Sequence, residues 1–92
     1  MKTKRKQLPR LVLIEWVDSA QPIPGWKFLE DAPTAEVVQC VSVGWLISEN
    51  KRAKVLAPNI GNIEAGGSAQ GSGFIRIPVA SITRQAELVE DD

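Results

Sequence analysis

The chain has no histidine and one cysteine, Cys40. Without histidine the commonest general base and metal ligand is missing, and one cysteine supplies neither a Cys/His zinc site nor an internal disulfide. Cys40 therefore reads as a small buried hydrophobe. No apolar run approaches the ~20 residues that cross a bilayer, and the basic start is not followed by the apolar segment and cleavage site of a signal peptide. The expectation is a cytoplasmic protein with no membrane partner. Net charge is lacking too: 11 Lys and Arg balance 11 Asp and Glu. Domains built to grip phosphates usually carry a clear basic excess, so the balance weighs against that role. The acid pairs Glu30-Asp31 and Asp91-Asp92 are sequence neighbours in polar segments, whereas paired-carboxylate catalysis needs two acids converging across a cleft. No enzyme, metal or cofactor is expected.

What is present belongs to one small folded domain. Ninety-two residues leave no room for a second, and the 43% apolar content is that of a folded chain. Charge is segregated: Lys2, Lys4, Arg5, Lys6 and Arg10 open the chain, and Glu87, Glu90, Asp91 and Asp92 close it. Residues 1–10 read as a disordered basic arm, 11–88 as the domain, and 89–92 as an acidic tail. The basic arm either tracks nucleic-acid phosphates or only solubilises the terminus; no aromatic is interleaved in it for base stacking.

The stretch from Val37 to Pro58 reads as a long hairpin, two β-like runs joined by Glu49-Asn50-Lys51-Arg52. In its first run Val37, Val41, Val43, Trp45 and Ile47 share one face by the period of two, and their bulk predicts that this is the core face. Trp45→Ala is then expected to cost roughly 3–5 kcal/mol. The other face, with Val38, Cys40 and Leu46, is predicted to be only partly covered. Gly44 in mid-strand suits a sharp bend.

Upstream, Leu11 to Asp18 is a strand with Val12, Ile14 and Trp16 on its buried face. Pro22, Pro24 and Pro33 keep the next segment out of a ladder and allow at most a short helix near residues 27–33. Downstream, Ala53 to Pro58 is a strand, and Asn59 to Gly73 is a long glycine-rich connection. Phe74 to Val79 is a strand with Ile75 and Ile77 on one face. A single turn from Pro78 to Ser81 leads into the last strand, Ile82 to Leu88, with Ile82, Ala86 and Leu88 inward. Five short strands, a bent hairpin and a one-turn break describe an all-β fold: a small, strongly bent antiparallel barrel of the SH3-like or Sm-like kind, whose closure removes bare edges.

Glu15-Trp16-Val17-Asp18-Ser19, Gly25-Trp26, Val41 to Ile47, Val55-Leu56-Ala57-Pro58 and Ile77-Pro78 with Ile82 carry a resemblance. Together they look like a family of small, mostly uncharacterised bacteriophage proteins. The resemblance implies a phage or prophage source, hence the host cytoplasm, and brings no catalytic residue.

The expected function is that of a non-enzymatic binding module, a counter-defence or host-takeover protein that binds a host protein or sequesters a nucleotide-type signal. Trp26, which follows Pro24-Gly25 in a loop, either caps the barrel end or stacks on a ligand base or a partner surface. The segment from Gly66 to Ser72 has the glycine spacing of a phosphate loop without its lysine, so Gly66 and Gly67 belong either to a flexible loop or to an anion-binding nest. Lys54 and Arg76 are the cations expected beside them. The alternative is a nucleic-acid accessory protein using Lys2, Lys4, Arg5, Lys6 and Arg10 with the barrel face. A partly apolar second face on the hairpin, with a lid too short and charged to cover it, predicts a homo-oligomer.

Overall fold

Residue 45 of the longest strand is where two pairings meet. A computed structural model describes residues 8–64 and 68–91 and contains strands β1 (Leu11–Asp18), β2 (Val38–Glu49), β3 (Ala53–Ala57), β4 (Asn59–Gly61), β5 (Gln70–Ser72), β6 (Ile75–Pro78) and β7 (Ile82–Leu88). Val38 to Trp45 of β2 pairs with β1, and Trp45 to Glu49 pairs with β3, both antiparallel. Two devices bend β2 between these partners. A Cβ on Gly44 would stand 3.0 Å from the Ala57 carbonyl oxygen, so a side chain here would crowd β3 and force it back. A register shift between Leu46 and Ser48 adds one residue, Ile47, to the β2 side, and such a bulge deepens the local twist.

The main sheet has five strands in the order β6-β3-β2-β1-β7, and β4 and β5 form a separate pair. The fold is all-β, as expected, but the sheet is not closed into a barrel. Its edges are β6 and β7. β6 is four residues long and ends at Pro78, which has no N–H to offer a ladder, and the chain turns at once into a 3₁₀ turn, Val79–Ser81. Side chains span the open side instead. Lys54 Nζ donates to Gln85 Oε1 at 2.6 Å and lies 3.3 Å from Glu49 Oε1. The Arg10 guanidinium holds Glu49 Oε2 at 3.1 Å and Glu87 Oε1 at 3.4 Å. Main-chain contacts also begin upstream of Leu11, because the Arg10 carbonyl accepts from the Leu46 N–H at 2.8 Å.

The core lies on the concave side. Val12, Ile14, Leu46, Leu56 and Ile77 are buried together, with Trp16, Ile75 and Ile82 packed against them. The Trp16 indole N–H donates to Ser42 Oγ at 3.0 Å, so this tryptophan joins the core without an orphaned donor. The face of β2 is the reverse of the expectation. Gly44 and Leu46 are buried, whereas Val37, Val41, Val43 and Ile47 are exposed and Trp45 is only half-buried. The inside of a tight bend has room for small side chains, and the bulky ones stand outside it.

A second correction concerns β7. The register against β1 shifts between Glu15 and Trp16, so Ile82 sits opposite Trp16 in the core, while Ala86 and Leu88 sit opposite Leu13 and Leu11 on the outer face. Gln85 and Glu87 take the inward positions opposite Ile14 and Val12 and feed the polar contacts across the open side. The long connection after Pro58 is also more structured than its glycines suggested, since its ends pair as β4 and β5.

Between β1 and β2 the chain makes an excursion, residues 19–37, here called the finger. It begins and ends at the Asp18–Val38 pair. Its regular structure is a single 3₁₀ turn, Leu29–Asp31, within the short helix allowed there. Every residue of the finger is exposed.

Candidate protein-interaction surface

The finger's form follows from its prolines and one glycine. Pro22, Pro24 and Pro33 withhold N–H groups from any ladder, and Gly25 has φ +94°, a conformation that a side chain at this position would strain. This turn presents Trp26 with 103% relative exposure, and beyond it Phe28 and Leu29 stand at 77% and 91%. Ile23 is exposed as well. Large apolar residues this bare, adjacent in one short segment, make the finger a candidate interaction site.

Two hollows of about 650 and 410 Å³ lie along the finger, walled by its own exposed side chains, among them Trp26, Lys27 and Phe28. They are gaps along an extended chain rather than enclosed pockets, and a small-molecule site needs walls that bury most of its ligand.

The other predicted site residues do not gather around Trp26 in one charged pocket. Lys54 is largely covered, and its ammonium is committed to Gln85 and Glu49. Arg76 is exposed on the neighbouring strand opposite Val55, while Lys54 is opposite buried Ile77, so the two cations point to opposite faces of the sheet. Gly66 and Gly67 lie outside the described residues, as do Lys2, Lys4, Arg5 and Lys6. Arg10 is described and is engaged by two carboxylates of the domain. Among the described residues no group of three or more Cys, Asp or Glu side chains is placed to hold a metal ion, and no helix is long and apolar enough to cross a membrane.

A second apolar surface escaped the sequence reading. The register places Leu11 beside both Trp45 and Leu88, and Leu13 beside both Val43 and Ala86, on the convex face of β2, β1 and β7. Val41 extends this strip next to Glu15, whose carboxylate is paired with Arg84. Val41 is 65% exposed and Val43 49%. Where the strip meets the N-terminal segment, Leu8, Pro9, Leu11, Trp45, Leu88 and Glu90 line an open hollow of about 220 Å³. That is below the roughly 300–1,000 Å³ of small-molecule sites and suits a single inserted side chain. The small residues at the even positions of β2 were the signal that its odd face is outermost.

No family model, curated protein or solved structure matches this chain.

Proposed function

We propose that this protein is a non-enzymatic binding module whose finger engages a protein, with Trp26 as the anchor. The observation that carries this reading is the complete exposure of Trp26 beside Phe28 and Leu29 on a glycine-dependent turn. Tryptophan dominates protein interfaces because it buries a large apolar area at little cost in side-chain freedom. A nucleotide reading has less support, since Lys54 and Arg76 diverge and the hollows along the finger are open. A nucleic-acid role is favoured less still, because Arg10 is neutralised by Glu49 and Glu87 and the whole chain carries no net charge. The resemblance to small bacteriophage proteins supplies the setting for a counter-defence or host-takeover role, in which the module as a whole meets a host protein in the cytoplasm. The barrel kinship survives in the proposal as an opened SH3-like arrangement, supported by the bent β2 and the 3₁₀ turn before the last strand.

The test is photocrosslinking in bacterial cells with benzoylphenylalanine at position 26, and at position 51 in the β2–β3 turn as control. A discrete heavier adduct from position 26 alone is the expected result. Equal labelling from both positions, or none from position 26, overturns the reading.

A further inference from the structure

Two bare apolar surfaces on one chain, the finger and the convex strip, call for an occupant, and magnitudes favour one that uses both. Three strands about 4.8 Å apart, side by side over Leu11 to Trp16 of β1 and so for roughly 20 Å, make a strip of about 300 Å². A stable interface needs about 800 Å² from each partner, so the strip alone is too small. The finger supplies the shortfall: Trp26 and Phe28 bury roughly 150–250 Å² each when covered, with Leu29 and Ile23 in addition.

We propose that a second copy of this chain covers both surfaces at once, each finger lying along the other copy's convex strip in a two-fold dimer. The proposal rests on the finger being a protein-binding element and names its partner. A two-fold axis between the finger roots sets the two domains antiparallel, so the same contact is made twice. Lengths agree. Ten extended residues reach at most about 33–36 Å, and β1 spans roughly 27 Å. A finger rooted at the Asp18–Val38 pair therefore brings its tip, Trp26 to Leu29, to the far end of the neighbouring strip. There the hollow beside Trp45 has the size of one side chain, and Trp26 fills it. Formal net charge is zero, so no long-range repulsion holds the copies apart.

Light scattering on the full chain over a hundredfold dilution, with two surface variants, tests the proposal. Trp26→Ser removes the anchor, and Val43→Lys places a charge on the strip. Both positions are exposed, so each variant is expected to keep the wild-type thermal midpoint when dilute. Each alone is expected to weaken self-association by roughly 100-fold, the scale of a lost hot spot. Mixed in equal amounts they are expected to associate more tightly than either variant alone but less tightly than the wild type, because one of the two contacts, the finger of Val43→Lys on the strip of Trp26→Ser, is intact. A mixture that associates no more tightly than either variant alone, while the wild type dimerises, overturns the exchange of fingers for strips. A wild type that stays monomeric throughout overturns self-association and leaves the finger's role to the crosslinking result. Dimerisation unaffected by Trp26→Ser, with no adduct from position 26, overturns both readings.

Discussion

On the concave side of β2, Gly44 and Leu46 are sealed against β3, whereas on its convex side Val41 and Val43 keep 65% and 49% of their surface in water. The two faces belong to one strand and alternate residue by residue. Curvature separates them: a Cβ at Gly44 would stand 3.3 Å from the Leu56 Cβ as well as 3.0 Å from the Ala57 oxygen. Where a sheet bends this tightly its inner face is short of space, so small residues mark the inside, and bulk is a poor guide to burial.

Substitutions on the two faces break or sharpen this contrast. The largest effect is expected at Leu56→Ala, which empties a position with 1% exposure in the core and should cost roughly 2–5 kcal/mol by urea denaturation. Gly44→Val comes next, with a loss of roughly 1–3 kcal/mol from overpacking against β3, and wild-type stability there would refute the steric account of the bend. Trp45→Ala removes a half-buried indole from the outer face, so its cost in a dilute sample should be about half the 3–5 kcal/mol of a buried tryptophan. Arg10→Ala loses two exposed ion pairs across the open side, and the expected change is about 0.2–1 kcal/mol, shrinking as salt rises. Val43→Ala is the smallest, within about 0.5 kcal/mol at concentrations too low for association; a loss as large as at Leu56 would mean that the convex face is a core after all.

Much of the fold was legible. The five main strands, the bend at Gly44, the turn before β7 and the inward faces of β1 and β6 follow from period-two patterning and from prolines and glycines, which act locally. Three features were not, because each depends on a contact remote in sequence. Which face of β2 is inside depends on the approach of β3. The inward set of β7 depends on the bulge at Glu15/Trp16, which exchanges Ala86 and Leu88 for Gln85 and Glu87. The open side of the sheet depends on β6 and β7, its two edges, not pairing with each other. For the candidate site, Trp26 could be singled out from its Pro-Gly context alone. Neither the convex strip nor the divergence of Lys54 and Arg76 could be found without the strand register.

The pairing of Asp18 with Val38 has one more consequence. The two ends of the finger meet across a single ladder position, Cα atoms about 5 Å apart, which is the spacing that an ordinary hairpin turn bridges. The finger is therefore a replaceable insert on a fold that is already closed beneath it. Exchanging residues 19–37 for a four-residue turn lowers the entropy of loop closure by roughly 1 kcal/mol. The same junction is a ready graft point for segments of other sequence, since no core residue lies between positions 19 and 37.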